Sequence, residues 1–323
     1  MSFSLRPFRY TDLAAVIALA QNSFADEFTA QGLTPEGFAV QTRLMTRGWM
    51  LPMRLLSALM RLHWEIWVAE ADDHLVGCGA FSGKKRMSLH TLMVDPRYRR
   101  QGIGQALLVK RLERIKARGY PCAVVTVLQT NTASLGNLSK QHFQIVDKYS
   151  LYELALPIQR PIVVDTGIQS RPILTTDRLR LVQLEQTSFA PLALKVNDSS
   201  VPSYLPSLWM RAMDRLQKTQ IWNRAFLLHG QPIGFVSAAI TSTQPKGFIA
   251  RPLIATKDAA YLLAILHEAA AWMTQQGKSA MQIIIPEGQP DLLQVVEDSG
   301  WKKLLTWVEL ARWFQDVPIR TND

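Results

Sequence analysis

Residues 94–119, VDPRYRRQGIGQALLVKRLERIKARG, decide the fold of this chain. An apolar strand ends at Val94, and the Asp95-Pro96 pair stops it because proline cannot donate a hydrogen bond to a strand ladder. A helix-length stretch follows and ends at Gly119, a residue type that commonly terminates helices. The pattern therefore predicts a strand, a turn and a long helix in direct succession.

The turn between this strand and this helix contains Gly102 and Gly104. A helix N-terminus carries unpaired N–H groups and a partial positive charge, and glycine lets the backbone approach an anion with no Cβ in the way. Arg99 and Arg100 stand just before the glycines and can add charge-assisted hydrogen bonds. We therefore expect a site for a compact anionic group at this turn.

The distribution of charge favours the same kind of ligand. The 323-residue chain has a net charge of +10, and the stretch from Lys84 to Arg118 holds eleven Lys and Arg against two acidic residues. Charge concentrated around one turn favours a polyphosphate over the diffuse basic surface typical of nucleic-acid binding. A solvated helix face is the alternative for the later basic residues, Lys110, Arg111, Arg114 and Arg118.

Length and composition set the class of protein. The length favours two domains, and 48% hydrophobic with 19% charged residues is typical of globular chains. The N-terminus lacks the apolar core of a signal peptide and no long stretch is free of charge, so we expect a cytoplasmic protein. Cys78, Cys122 and the six scattered histidines lack the spacing of a zinc site, so no metal is expected.

The first half has the element order of an α+β domain. Residues 3–9 alternate like a strand, an amphipathic helix follows, and residues 65–94 predict a three-stranded antiparallel meander. After the long helix come a buried strand, a short helix over 132–141 and a closing strand pair over 143–156. Residues 30–63, rich in Met, Leu and Arg, fit a helix lining an apolar pocket, a basic helix at a membrane surface or an ordinary core helix.

The second half repeats this order at a period of about 160 residues, which predicts an internal duplication. Residues 157–172 carry three prolines and a glycine and indicate a linker. The predicted division is a first domain at 1–157, a linker at 158–172 and a second domain at 173–323. The predicted elements of the second domain are strands at 176–184, 247–255, 279–286 and 302–314, a hairpin at 225–241, and helices up to about 219, at 257–276 and at 291–300.

The turn matches neither of two common phosphate loops, since it lacks GxxxxGK[ST] and the third glycine of the dinucleotide fingerprint. The pattern Arg99-x-x-Gly102-x-Gly104, after LMVDP and before a long helix, instead resembles the acyl-CoA loop of the GNAT superfamily of N-acetyltransferases. The element order over residues 3–156 is similar to that fold as well. Asn131, after the strand VVTVLQ, matches a second feature of the family.

This resemblance implies a site for acetyl-CoA, or another acyl-CoA, as cosubstrate. It implies that backbone groups of the strand hold the acetyl group and pantetheine, that the amides of residues 100–105 bind the pyrophosphate, and that Asn131 contacts the pantetheine arm. The implied cofactor-binding residues are Leu92, Met93, Val94, Arg99, Arg100, Gln101, Gly102, Ile103, Gly104, Gln105 and Asn131.

The resemblance also implies a mechanism in which an amine, deprotonated by a general base, attacks the thioester directly while a strand N–H stabilises the oxyanion. The position that is most often acidic in the family falls on His90, which can act as a base at neutral pH; the alternative is a plain strand residue. Leu138 stands where the family often has a tyrosine that protonates the departing thiolate. Tyr149 or Tyr152 can replace it only if the side chain reaches the site.

The second half has no such loop, because residues 256–266, TKDAAYLLAIL, contain no glycine. We therefore expect a degenerate GNAT-like domain that has lost the cofactor site, with an unrelated α+β domain as the alternative. The predicted fold class is α+β, with two GNAT-like domains that each have a mixed, mainly antiparallel sheet flanked by helices.

The predicted function is an acetyl-CoA-dependent N-acetyltransferase that acts on a primary amine of a small molecule or peptide. The alternative is a non-catalytic acyl-CoA-binding or sensor protein. Trp49 and Met53, in the apolar segment 45–67, favour a partly hydrophobic amine or a longer acyl chain. We expect no nucleic-acid partner and no membrane attachment, and a homodimer is possible.

Overall fold

The computed structural model of the chain describes residues 2–23, 63–84, 86–158, 167–189, 191–196, 201–206, 211, 214–215, 218–242 and 244–314. The chain forms two compact units. The first contains residues 1–126, 132–144 and 310–323, and the second contains residues 127–131 and 145–309. Most of the predicted linker lies outside the described residues, and the predicted boundaries at 157 and 172 remain predictions.

The first unit is a sheet with helices packed on it. Its strand order is β1-β2-β3-β4-β5, in which β1 to β4 are antiparallel neighbours and β5 runs parallel to β4. Its elements are β1 (Ser4–Pro7), α1 (Leu13–Ser23), β2 (His63–Ala71), β3 (His74–Gly83), β4 (Met87–Val94), α2 (Ile103–Ala117), β5 (Cys122–Leu128) and α3 (Thr132–Lys140). The predicted meander, long helix and short helix are therefore confirmed.

The second unit has the same kind of sheet, in the order β13-β6-β12-β10-β9-β8-β7, with β11 paired to β9. The residues of β13 beyond Glu309 are counted with the first unit. The strands are β6 (Gln144–Ala155), β7 (Gln169–Pro172), β8 (Thr219–Leu228), β9 (Gln231–Thr241), β10 (Lys246–Ala250), β11 (Leu253–Ile254), β12 (Ala280–Pro286) and β13 (Lys302–Trp313). The helices are α4 (Arg178–Ser188), α5 (Pro191–Val196), α6 (Val201–Tyr204), α7 (Ala259–Gln275) and α8 (Pro290–Asp298).

The predicted strand at 176–184 is wrong, because these residues lie mainly in α4. The alternation of RLRLVQL imitates a strand, but the buried positions Leu181, Leu184 and Ser188 follow helical spacing while Leu179 is 79% exposed. The first strand of the second unit is β7, inside the predicted linker. A strand pair over 143–156 is also wrong, since a single strand, β6, covers that stretch.

The same ion pair, which we call the Arg–Asp clasp, precedes the first helix of each unit. The guanidinium of Arg6 donates to both carboxylate oxygens of Asp12 at 2.7 and 2.9 Å, and Arg171 donates to Asp177 at 2.7 and 2.8 Å. Each aspartate also accepts a backbone N–H three residues earlier, which fixes a turn of 3-10 helix before α1 or α4. The duplicated clasp gives direct structural support to the predicted duplication.

Candidate functional site

The site in the first unit starts from a bulge in β4. Pairing with β3 passes from Ala80–His90 to Cys78–Met93, so β4 has one residue more than β3 over this step. Thr91 lies at the bulge with a φ of 46°, which is unusual for a β-branched residue. Thr91 and Leu92 together lie opposite the single residue Gly79 of β3, so the regular ladder is interrupted at this step.

The pairing of β4 with β5 stops just before the bulge. The two strands are in parallel register only at Met87–Ala123 and Ser88–Val124. Beyond Ser88, β4 therefore runs on toward Val94 without a partner in β5, and its backbone is open to another molecule along that edge. The predicted residues Leu92, Met93 and Val94 all lie on this open segment.

The turn after β4 is held by its own side chains. Asp95 accepts hydrogen bonds from the backbone N–H and the guanidinium of Arg97, and these bonds hold the pKa of the Asp95 carboxyl below its usual value. Arg99 donates from Nε to the carbonyl oxygen of Val94 at 3.2 Å. Arg100 and Gly102 then adopt left-handed backbone, with φ of 62° and 83°, and turn the chain into α2.

The N-terminus of α2 presents a run of free donors. Gly102 is its N-cap and offers no side chain, and the first backbone bond into the helix is the one from the Ala106 N–H to the Gly102 carbonyl at 2.9 Å. Within the described part of the chain, the N–H groups of residues 101–105 have no hydrogen-bond acceptor. A Cβ on Gly102 would meet nothing within 4 Å, so its backbone is open to solvent. The predicted anion-binding residues are thus brought together at one helix end.

The equivalent helix in the second unit, α7, is closed by a carboxylate. Asp258 is its N-cap and accepts from the N–H groups of Ala260 at 2.8 Å and Tyr261 at 3.4 Å. A negative side chain therefore holds the donors that the turn before α2 leaves free. That the second half has lost the cofactor site stays a prediction.

The bulge is repeated in the second unit with different chemistry. Arg251, with a φ of 40°, and Pro252 separate β10 from β11, so the single strand predicted for 247–255 is interrupted there. Pro252 has no N–H to offer, and its carbonyl accepts from the side-chain amide of the buried Gln289 at 2.8 Å. At the second bulge, the carbonyl group is therefore hydrogen-bonded to a side chain of the same unit.

His90 lies on β4 immediately before the first bulge, with its side chain exposed. Its Nε2 atom is 2.9 Å from the hydroxyl oxygen of Ser82 on β3. Partial desolvation, together with the positive charges of Arg111 and Arg86, lowers the pKa of His90 from its ordinary value of 6.5. The imidazole is therefore neutral, and able to accept a proton, at neutral pH.

Arg111 is not a surface residue, contrary to the sequence-based interpretation. It is 1% exposed, and its guanidinium donates to the carbonyl oxygens of Leu107, Ala80 and His90, each at 3.1 Å. The helical spacing could have revealed this, because Arg111 falls on the same buried stripe of α2 as Leu108 and Ile115. The other three basic residues of that interpretation, Lys110, Arg114 and Arg118, are at least partly exposed.

The position that often holds the general acid in the family, and the two tyrosines considered as replacements, each have their own surroundings. Leu138 is buried in α3. The hydroxyl of Tyr152 donates to Glu297 in the second unit, and Tyr149 packs its ring against Trp307. Asn131 directly precedes α3, as predicted, and its N–H donates to the carbonyl oxygen of Leu128 at 2.9 Å.

Comparison with known proteins agrees with this geometry. Residues 39–143 match the family model of the GNAT acetyltransferases. This stretch, about a third of the chain, is similar to a GNAT acetyltransferase domain. An acetyltransferase of Pectobacterium atrosepticum is 34% identical over 86 residues, which are 26% of this chain and 60% of that protein. This chain therefore spans about 60% of the length of that relative.

Solved GNAT structures resemble the chain over nearly its whole length. A GCN5-related N-acetyltransferase from Sphaerobacter thermophilus aligns with a TM-score of 0.65 at 16% identity, covering 96% of this chain and 95% of that one. A tandem GNAT protein from the clavulanic acid biosynthesis pathway aligns with a TM-score of 0.57 at 14% identity, covering 97% and 98%. The predicted α+β class and tandem GNAT arrangement are therefore confirmed.

Two further features bear on function. No helix among the described residues has the length and apolar character needed to cross a bilayer. Trp49, Met53 and the rest of the predicted acceptor segment up to residue 62 lie outside the described part of the chain.

Proposed function

We propose that the chain is an acyl-CoA-dependent N-acetyltransferase that transfers an acyl group to a primary amine. The observation that carries the proposal is the run of unpaired N–H groups at residues 101–105, directly after a bulged strand whose edge is open. A glycine N-cap with free donors is suited to a pyrophosphate, because both the helix dipole and the backbone N–H groups favour an anion there. Arg99 and Arg100 add positive charge at the same end of the helix.

The open edge of β4 suits the remaining part of an acyl-CoA. Pantetheine is a linear arm with amide groups, and the edge of β4 at Leu92, Met93 and Val94 that has no partner in β5 can hydrogen-bond to it as a neighbouring strand would. The bound acyl-CoA supplies a thioester carbonyl as the electrophile. A backbone N–H at the bulge can donate to that carbonyl oxygen as negative charge develops on it.

His90 is the proposed general base. Ser82 accepts from Nε2–H in this proposal, which fixes the tautomer and leaves Nδ1 to take the proton of the attacking amine. The lowered pKa of His90 keeps this nitrogen unprotonated at neutral pH. The amine nitrogen then forms the new C–N bond, the C–S bond breaks, and the thiolate departs without a nearby acid.

One observation favours a second candidate, a non-catalytic acyl-CoA-binding or sensor protein. Leu138, at the position where the family often has a tyrosine, is buried in α3 and cannot donate a proton. A thiolate with an ordinary pKa near 8.5 still leaves readily, so the loss of an acid lowers the rate without abolishing transfer.

Titration calorimetry with CoA, followed by turnover of acetyl-CoA with a panel of primary amines, separates the two candidates. Both predict binding, and only the first predicts amine-dependent release of CoA. A chain that fails to bind CoA would contradict both.

Replacement of the base tests the catalytic role. We expect His90→Gln to lower kcat/KM by about 100-fold while the affinity for CoA is unchanged, because the amide cannot take a proton and lies away from residues 101–105. In the wild type, the pH profile of kcat/KM should include an acid limb with an apparent pKa below 6.5, since the base must be neutral and its pKa is lowered. His90→Gln should lack this acid limb, and a variant that retains it would rule out His90 as the base.

A further inference from the structure

Arg111 is a buried arginine that no acidic residue neutralises among the described residues. Its guanidinium contacts three carbonyl oxygens and no carboxylate, and desolvation lowers its pKa to about 10. It therefore stays charged at neutral pH. Burying a charge without a counter-ion is costly, and such a group at a functional site calls for an explanation other than packing.

The sheet is shaped to receive this guanidinium. Gly79 lies on β3 opposite the bulge, and a Cβ there would come within 3.0 Å of Cζ and Nε of Arg111. Gly77, two residues earlier on the same face, makes similar room for Ile103 and Leu107 of α2. Two small residues in β3 thus let α2 approach until Arg111 reaches the backbone of both strands.

The two strand carbonyls that Arg111 binds lie opposite each other at one end of the bulge. Ala80 and His90 are the last register pair before the extra residue, and Nη1 of Arg111 donates to both carbonyl oxygens at 3.1 Å. One planar group therefore ties β3 to β4 at the point where their ladder is broken. This bond also fixes the rotation of the peptide unit between His90 and Thr91.

The rotation of that peptide unit decides where the Thr91 N–H points. In a trans peptide the C=O and N–H bonds lie in one plane and point in opposite directions. With the His90 carbonyl held by Arg111, the Thr91 N–H is directed away from α2. A carbonyl that accepts from a cation also makes the N–H of its own peptide a stronger donor, through polarisation along the chain of bonds.

We propose that Arg111 is a positioning residue, which sets the β4 bulge so that the Thr91 N–H is the donor to the thioester carbonyl oxygen. This inference rests on the proposed acyl transfer. The unneutralised charge of Arg111 lies behind the same peptide unit and favours the negative charge that develops on that oxygen. The arginine acts through Thr91 and does not itself touch the reacting atoms.

The test compares Arg111→Met, which keeps the volume but removes charge and donors, with Arg111→Lys, which keeps the charge on a single ammonium group. Arg114→Met is the matched control, because it removes an equal charge from α2 where the partner is Glu65 rather than the bulge. For each variant we would measure the Kd for CoA, kcat and KM, and the amide resonance of Thr91 by NMR without ligand.

We expect Arg111→Met to lower kcat by about 100-fold, the effect of losing one well-placed donor, with the Kd for CoA within about threefold of wild type. Arg111→Lys should recover about tenfold of that loss, since the charge and one donor remain. The Thr91 amide should shift in Arg111→Met and stay in place in Arg114→Met. Unchanged kcat and an unchanged Thr91 resonance in Arg111→Met would overturn the proposal.

The pKa of His90, followed by NMR, gives a second readout. The described charged groups that face His90 are Arg111 from α2 and Arg86 from the turn before β4, and its neighbour on β3 is Ser82. Removing the charge of Arg111 should raise the pKa of His90, whereas Arg114→Met should leave it where it is. A His90 pKa that does not respond to Arg111→Met would contradict the placement of the charge.

Two provisions keep the test decisive. Should Arg111→Met fail to fold, Gly79→Ala keeps the arginine but presses a Cβ on its guanidinium, and it should likewise shift Thr91 and lower kcat; no shift would overturn the proposal. Wild-type protein that binds CoA but turns over no amine would remove the proposed acyl transfer, and with it the assignment of Thr91 as the donor. Wild-type turnover that Arg111→Met leaves intact would remove only the role of Arg111.

Discussion

The N-termini of α2 and α7 show how one architecture treats an anion site in opposite ways. The first is capped by Gly102, leaves the N–H groups of residues 101–105 without an acceptor among the described residues and follows a bulged strand. The second is capped by Asp258, whose carboxylate accepts two of the equivalent N–H groups. Both helices still follow a bulged strand with one positive-φ residue, Thr91 or Arg251.

This difference shows that the donors at a helix end can be free or occupied within the same kind of fold. The core of the second unit includes Ile265 of α7, Met281 of β12 and Val296 of α8. A carboxylate at the helix end and a proline in the bulge remove the donors that an acyl-CoA would need. The second unit has a buried hydrophobic core with both of these residues in place.

The largest effect is expected when the N-cap of α2 is given a carboxylate, as α7 has in Asp258. We expect Gly102→Asp to weaken CoA binding by about 100-fold or more, because the carboxylate repels the pyrophosphate and takes the N–H groups of the first turn. The measurement is titration calorimetry with CoA at low and high salt. Gly102→Asn is the matched control: it has the same shape, tolerates positive φ and carries no charge.

The control should lose about tenfold, from the added side chain alone. Equal losses in Gly102→Asp and Gly102→Asn would show that backbone strain, and not charge, separates the two helix ends.

A smaller effect is expected at the Arg–Asp clasps. Asp177→Asn should lower the free energy of unfolding of its unit by about 2 kcal/mol, since a partly buried guanidinium loses its carboxylate. Asp12→Asn should cost less, because Arg6 keeps a second carboxylate partner in Glu70. Urea unfolding, with hydrogen exchange as the probe in each unit, measures the loss in free energy of unfolding for each variant. A larger loss for Asp12→Asn than for Asp177→Asn would contradict the expected order.

The two Arg–Asp clasps also make the stability of their units depend on pH. The Arg–Asp hydrogen bonds lower the pKa of Asp12 and Asp177 below the ordinary 3.8, so the unfolded state takes up protons first on acidification. The clasp contribution is therefore complete above pH 3.8 and is lost as the pH falls through the lowered values.

The smallest effect is expected from opening the second site. Asp258→Ala should cost about 1 kcal/mol of stability, the usual value of a helix N-cap, measured by urea unfolding. It should not create measurable CoA binding, because Pro252 still offers no N–H at the bulge and the turn still lacks glycine. Tight CoA binding by Asp258→Ala would show that the carboxylate alone closes the site.

Much of the first unit follows from local sequence signals. Neighbouring residues set the strand alternation, the stop at Pro96 and the Gly102 turn. A short stretch of sequence is therefore enough to predict the meander, the turn from strand to helix and the free helix end. The burial of Arg111 depends on a distant residue, Gly79, that lets α2 approach the sheet. The helix at 178–188 was missed because Leu179 is an exposed apolar residue that completes a false alternation.

The repeated Arg–Asp clasp also gives the number of residues by which equivalent positions of the two halves are offset. Arg6 and Arg171 lie 165 residues apart, as do Asp12 and Asp177, whereas Gly102 and Asp258 lie 156 apart. Part of the shortening falls within the turn itself, since eleven positions separate Thr91 from Gly102 and seven separate Arg251 from Asp258. The loop that holds the 3-10 turn at Pro96–Tyr98 is therefore four residues longer than its counterpart, and the two copies of the fold differ in length at the turn that leads into the helix.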